Sequence, residues 1–494
     1  MLRTSLYGLA AAGLLANLPA HAAGDAELQA LRAELAEMRS AYEKRIASLE
    51  NRLKTAESKA ESAEKVASTA SAAAAEPSPQ RERNKPLANA FNPQISVILD
   101  GVYYRDNRQG GAGELLEHMD GISHSHGEEG HDHGIERGFN LRETEIVFSS
   151  AVSPYFDANV KMTVSSGGDV ELEEAYFDTR GLPAGLKFRG GKFFSGIGYQ
   201  NAKHPHQWDF VDQNLAYRAL LGEHGLNDTG VRAEWVPDTG NWYTLLGVEA
   251  LQGKDHPFSG SGLATPTERA DGAALAATTG GAMDNSLAGP RLLTTYAKFA
   301  PDLGDRHAVQ FGVWGGWSRQ HQEVHDHTAE NPASLVNGLQ GQAWLWGTDW
   351  VYKYDAGRVG GQGNLTLVAE YLRLTKDLNV AFHENDALLG ERRKMVQDGF
   401  YAQATYGFLP FWKAGLRYDV TGWTNHVDGP AGRLRDMDAS SRWTAALTRD
   451  LTEYSRFRLQ FSRARLAVDG VRENVNELYL QYQHSLGTHG AHWF

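Results

Sequence analysis

The sequence predicts an all-β fold, a transmembrane antiparallel β-barrel of about 16 strands preceded by an N-terminal α-helical coiled coil. Three observations carry that expectation. Short segments of strict apolar/polar alternation recur from residue 94 to the end. The connections between them alternate between short and long. A heptad-like stripe fills residues 23–67 and nothing else.

The chain opens MLRTSLYGLAAAGLLANLPAHAAG, with a basic Arg3, an apolar run from about Leu6 to Leu18 and a small-x-small site at Ala20-His21-Ala22. Residues 1–22 therefore read as a secretory signal peptide, and no later run is apolar for long enough to span a membrane as a helix. In residues 23–67, Leu28, Leu31, Leu35, Met38, Tyr42 and Leu49 fall on a 3-4 spacing, and the register drifts once Arg45 takes a core position. Such a stripe needs an apolar partner, so an oligomerising coil is expected; an isolated amphipathic helix is the alternative. Residues 68–93 carry an Ala/Ser run and then Pro77, Pro79 and Pro86, which suits a linker.

From residue 94 the period becomes two. In QISVILDGVYY, Ile95, Val97, Leu99 and Tyr103 share one face, and Gln94, Ser96, Asp100 and Tyr104 the other. FDANVKMTVSS sets Phe156, Ala158, Val160, Met162 and Val164 against Asp157, Asn159, Lys161 and Thr163; GFYAQATYGF opposes Phe400, Ala402, Ala404, Tyr406 and Phe408 to Gln403 and Thr405. Sixteen candidate strands centre near residues 99, 145, 160, 175, 189, 232, 246, 296, 312, 348, 370, 404, 416, 446, 459 and 480. SPY, GLPAG, PDTGN, APDLGDR, AGRVGGQG and LPF join them on one side; the connections near 120, 210, 270, 330, 385 and 430 read as long, with tight SSGGD and DGVREN turns on the same side. Short periplasmic turns and long outer loops produce this alternation. With the coil in the periplasm, the first strand runs outward and its following loop is extracellular. Trp314, Trp317, Trp344, Trp346, Trp350, Tyr352, Tyr354 and Trp412 near strand ends suit interfacial girdles.

Composition removes several function classes. A net charge of −13 leaves no basic face for a nucleic acid, and the absence of Cys excludes thiolate metal sites and disulfides. HExxH, GxSxG, P-loop and Rossmann signatures are missing, so no enzyme is expected. No cofactor is required by anything in the chain.

His and carboxylate residues concentrate twice. The first outer loop reads HMDGISHSHGEEGHDH, with His118, His124, His126, His131, Asp132 and His133; the fifth reads RQHQEVHDHTAEN, with His321, His325, Asp326 and His327. Imidazole and carboxylate suit zinc, copper, nickel or cobalt, so weakly bound Zn2+, Cu2+, Ni2+ or Co2+ is the expectation. A solvated polar loop is the alternative. His426 is placed in another outer loop.

The run GGDVELEEAYFDTRGLPAGLKFRGGKFFSGIGYQN and the ending NELYLQYQHSLGTHGAHWF resemble the phosphate-selective porin O/P family and its zinc-regulated outer-membrane receptor branch. That resemblance implies a sixteen-stranded, trimeric channel whose third outer loop folds into the lumen. The loop would be about Ser195 to Leu226, with Lys203, His204, His206, Asp209, Asp212 and Arg218 at a constriction. Two basic residues, Lys203 and Arg218, against three acids, Asp209, Asp212 and Glu223, fit phosphate poorly. Alternation also places Lys161, Lys187, Arg189, Arg232, Lys298, Lys413, Arg417, Arg442 and Arg458 on the lumen wall, countered by Asp100, Glu143, Glu145, Glu234, Glu370 and Asp419.

The resulting expectation is a bacterial outer-membrane channel for passive uptake of small solutes and ions, held among lipopolysaccharide as a homotrimer, with the coil free to touch the cell wall. An anion porin with incidental His loops and a structural tether or adhesin are the alternatives.

Overall fold

The computed structural model describes residues 93–108, 112–122, 135–165, 167–253, 257–260, 268–269, 272–275, 283, 289–325 and 334–487. The signal peptide, the coil and most of the linker lie outside the described residues, as do His124, His126, His131, Asp132, His133, Asp326, His327 and the terminal Phe494.

One antiparallel sheet closes on itself. Its strands run in chain order: β1 (Gln94–Asp106), β2 (Gly138–Ser153), β3 (Phe156–Val164), β4 (Val170–Thr179), β5 (Leu186–Phe194), β6 (Asn227–Trp235), β7 (Trp242–Leu251), β8 (Leu292–Pro301), β9 (His307–His325), β10 (Asn337–Tyr354), β11 (Leu365–His383), β12 (Arg392–Leu409), β13 (Trp412–Gly429), β14 (Gly432–Asp436), β15 (Ser440–Thr452), β16 (Ser455–Val468) and β17 (Val471–Gly487). β1 pairs with both β2 and β17, which closes the ring. β14 and β15 both pair with β13, at successive heights, and so occupy one position. The barrel thus has sixteen strand positions. Each segment centre expected from alternation falls inside a separate one of them.

The alternation sorts residues as a bilayer-spanning wall requires. On β16, Phe457, Leu459 and Phe461 are exposed on the outside while Arg458, Gln460 and Ser462 are buried inside; on β17, Leu478, Leu480 and Tyr482 oppose Glu477, Tyr479 and Gln481. Strands of nine residues or more are long enough to cross a hydrocarbon core when tilted. Among the described residues no helix is long and apolar enough to do so.

Four expectations are corrected. Near residue 430 there is no long loop, because β13 and β14 continue as a hairpin to a tight turn at Pro430-Ala431. His426 therefore lies on β13. His321 and His325 belong to β9, where the two-residue period carries His321, Glu323 and His325 onto one inward face. Trp314 is no girdle residue: it turns inward over Gly347, where a Cβ would meet its ring at 2.3 Å.

Candidate functional site

Chain leaves the wall after Phe194 and rejoins it at Asn227, the limits expected for the third outer loop. This segment, L3, folds inward: Ile197, Phe210, Val211, Leu215, Ala216, Tyr217, Leu220 and Leu221 are all at 1% exposure or less. Asn201 ties its base, donating from Nδ2 to Ser195 O and Leu226 O and accepting from Leu226 N. L3 contains a 3-10 turn at Pro205–Gln207 and one short α-helix, α2 (Leu215–Leu221), after α1 (Gly113–Glu117) in the first outer loop. Asn214 caps α2 by accepting from Tyr217 N at 2.9 Å, and Leu215, Ala216, Tyr217, Leu220 and Leu221 bury its apolar side.

Extended backbone inside a barrel has carbonyls that no strand pairs, and here wall arginines take them. Arg142 donates to Val211 O (2.6 Å), Arg417 to Asp212 O (2.9 Å), Arg442 to Gln213 O (2.5 Å), Arg458 to Trp208 O (2.8 Å) and Arg456 to His206 O. Arg417 and Arg442 also grip the Asp212 carboxylate at 2.9 and 2.6 Å. Burial alone would raise Asp212, but Arg417 and Arg442 outweigh it and hold the carboxyl lowered, at about 2.

The other end of L3 hangs on Glu370 of β11. Its carboxylate accepts from Tyr199 N and Gln200 N, each at 3.0 Å, from Tyr217 Oη at 2.9 Å and from Tyr401 Oη. The turn that makes this fit needs Gly198, whose φ is +63° and whose Cβ, if present, would lie 2.2 Å from Tyr217 Oη. Lys298 completes the anchor by donating to Gly198 O.

Lys161, Lys187, Arg189, Arg232, Arg417, Arg442 and Arg458 all face the lumen, as alternation requires. Their charges are not open pore surface. Lys161 pairs with Glu174 (2.5 Å), Lys187 and Arg189 with Asp178 (2.8 and 2.7 Å), and Arg232 with Glu249 (2.6 Å). Arg458 bonds Thr448, Gln481 and Trp208 O, with no carboxylate partner among the described residues. In L3, Asp209 accepts from Gln403, Arg218 pairs with Glu223, and the Lys203 ammonium lies 3.1 Å from the Tyr199 ring centre. Burial, then the neighbouring Lys353, push Lys203 down to about 7. A cavity of about 100 Å³ remains beside L3, lined by both signs, including Arg142, Lys203 and Arg218 against Glu173, Glu223 and Glu477.

Two of the three histidines of L3, His204 and His206, meet a carboxylate cluster. His204 Nδ1 lies 3.1 Å from Glu173 Oε2 and 3.6 Å from Glu145 Oε2; its Nε2 lies 3.0 Å from Glu174 Oε2 and 2.6 Å from Lys161 Nζ. His206 stacks on His204 with centroids 5.7 Å apart and meets Glu145 through Nδ1 at 2.9 Å. Burial would lower His204, but Glu173 foremost and then Glu145 raise it to about 10. Simple alternation cannot place Glu173 and Glu174 on one face. A bulge where Lys161 faces Glu174 and Met162 faces Leu172 does so, leaving Glu173 as the extra residue. The Glu-Glu doublet in VELEEAYF was the only sequence signal for it.

A second His group joins the first outer loop to the wall. Glu323 bonds His321 (2.8 Å) and His325 (2.9 Å) and pairs with Lys376 (2.5 Å), which donates to Ile122 O at 2.7 Å. His321 is 1% exposed and its Nδ1 lies 3.0 Å from Phe258 O, so it is a packed interior histidine and not a loop ligand. His118 follows α1 and is half-buried.

No family model matches the chain. It is 30% identical over 415 residues to an uncharacterized protein of Aquifex aeolicus (strain VF5), covering 82% of this chain and 80% of that one. Similar solved structures include OmpTdeltaL8, a loop L8 deletion mutant of OmpT, an outer membrane protein of Vibrio cholerae (TM-score 0.45, 10% identity, covering 80% of this chain and 99% of that one). The outer membrane channel DcaP of Acinetobacter baumannii (0.44, 12%, 80% and 96%) and an anion-selective porin from Comamonas acidovorans (0.43, 9%, 80% and 99%) are also similar. At these scores the likenesses add nothing to what the closed wall itself establishes.

Proposed function

The chain belongs to the family of that Aquifex aeolicus protein, and we propose that it works as an outer-membrane, porin-like channel for passive passage of small solutes and ions. The observation that carries this reading is the inward fold of L3 across a closed barrel that is apolar outside and polar inside. A wall of this kind needs a bilayer, and a loop held across its lumen sets the passage. Because the wall cations are taken up by carboxylates and L3 carbonyls, a dedicated phosphate ladder is not part of the proposal.

The finer parts of the proposal are the O/P-type zinc-regulated relationship, a homotrimer among lipopolysaccharide, and a periplasmic coil reaching the cell wall. To these we add capture of Zn2+, Cu2+, Ni2+ or Co2+ by the outer His-acid residues, which would enrich cations at the mouth. Planar-bilayer recording tests the channel. Stepwise ohmic conductance is expected, with a reversal potential in a ZnCl2 gradient that moves toward anion selectivity when residues 118–133 are deleted. Reconstituted, folded protein without any conductance would overturn the channel in favour of a tether, and an unchanged reversal potential would overturn the role of the loop.

A further inference from the structure

We infer that Glu145, Glu173 and His204 form a site for one divalent transition-metal cation of the zinc type, which ties L3 to the barrel wall. Three kinds of observation converge on it.

The first is geometric. One ligating atom from each of the three residues lies within 4.8 Å of the other two. His204 Nδ1 stands 3.1 Å from a Glu173 oxygen and 3.6 Å from a Glu145 oxygen. Around a tetrahedral ion with bonds of about 2.0–2.1 Å, neighbouring ligand atoms are about 3.3 Å apart. The two separations from His204 bracket that value, and the two carboxylates, within 4.8 Å of each other, close on an ion by side-chain rotation.

The second is the arrangement behind the ligands. Glu174 receives the other imidazole nitrogen, Nε2, at 3.0 Å. With its proton on Nε2 toward that carboxylate, the imidazole would aim its Nδ1 lone pair between Glu145 and Glu173, as metal-binding histidines are usually held. Lys161 neutralises Glu174 at 2.5 Å, and His206 steadies Glu145 at 2.9 Å. In this arrangement Lys161 moves off Nε2 and stays on Glu174.

The third is charge. Glu145, Glu173 and Glu174 are buried together against the single ammonium of Lys161, which leaves two negative charges in a closed place. Imidazole protons are one way to balance them, and a single divalent cation is the other. The ligand set of one nitrogen and two carboxylate oxygens favours zinc, cobalt or manganese over copper(I), which wants sulfur.

The site is distinct from the outer His-acid loops, for its ligands come from β2, β4 and L3. An ion bound there crosslinks the loop to two strands, and thereby stiffens the constriction. The test uses the full chain refolded in detergent, titrated with ZnCl2 at neutral pH, with bound zinc counted by elemental analysis after gel filtration. Wild type should retain one more zinc than Glu145→Gln/Glu173→Gln, while the weaker outer-loop zinc persists in both. Hydrogen exchange of residues 199–208 should slow at least tenfold on zinc addition in wild type and not in the variant. Heat-modifiable mobility on gels checks that the barrel has formed; should the double variant fail that check, His204→Asn supplies the same comparison. Equal tight zinc in wild type and folded variant, or none in wild type, overturns the site. The count needs no current, so its failure is separate from failure of the channel reading.

Discussion

Replacing Arg417 and Arg442 together by alanine is expected to free the middle of L3 and enlarge the single-channel conductance at least twofold. Both guanidiniums are buried, and both hold Asp212 while donating to the carbonyls of residues 212 and 213. Among the described residues, their removal leaves the buried carboxylate with Gln460 alone to bond it, at 2.6 Å. Stripping the partners from a buried charge costs about 3–5 kcal/mol, a cost the loop escapes by swinging toward solvent. Acid should mimic the change in the wild type. Asp212 is lowered to about 2 in the folded protein, so its contribution is full above the ordinary carboxylate value near 4 and is lost as pH falls toward 2. Conductance recorded against pH should therefore be flat from about 6, below the titration of Lys203, to about 4 and rise below. A double variant with wild-type conductance would show that these arginines do not hold the loop.

Glu370→Ala is expected to loosen the other end. One carboxylate satisfies two backbone N–H groups and two tyrosine hydroxyls, all in a fully buried place. Each donor left without an acceptor costs about 1–3 kcal/mol, and the four are not additive. We expect at least about 3 kcal/mol less stability in denaturant unfolding. Rapid current flicker should accompany it, because the Tyr199–Gln200 turn of L3 then keeps only the Lys298 contact to Gly198 O among the bonds described for it. Glu370→Gln, which keeps one carbonyl acceptor, should recover part of both effects. Quiet wild-type traces from Glu370→Ala would remove this residue as an anchor.

These two anchors also show where sequence reasoning reached and where it stopped. Period-two alternation placed Glu370, Arg417 and Arg442 on the lumen wall, and the shift from strand to polar loop after Phe194 set the limits of L3. Both readings are local, resting on which face a residue occupies. What the arginines touch is not local. Arg458 and Trp208 are far apart in sequence, and nothing in alternation reveals that a guanidinium is spent on a loop carbonyl instead of standing open to ions.

The His-acid tracts divide in the same way. His321 and His325 looked like loop ligands because histidine and glutamate are equally at home on a wet strand face, and only the pairing of β9 with β10 up to His325 separates the two cases. Glu173 was hidden by the bulge opposite Lys161, an irregularity that alternation by definition cannot anticipate. His204 and His206, by contrast, were singled out from sequence, and the fold brings them together with three glutamates from β2 and β4.

The central claim is that L3 lies inside the barrel, and disulfide trapping tests it most directly. The natural chain has no cysteine, so a pair introduced as Ala216→Cys and Gly399→Cys stands alone. A Cβ at residue 399 would lie 2.7 Å from that of Ala216 on α2, and a shift of about 1 Å brings the pair into disulfide range. The account predicts near-complete loss of free thiols on mild oxidation of the folded protein in bilayers, with no crosslink between chains. Two thiols that stay reactive under the same conditions would contradict it.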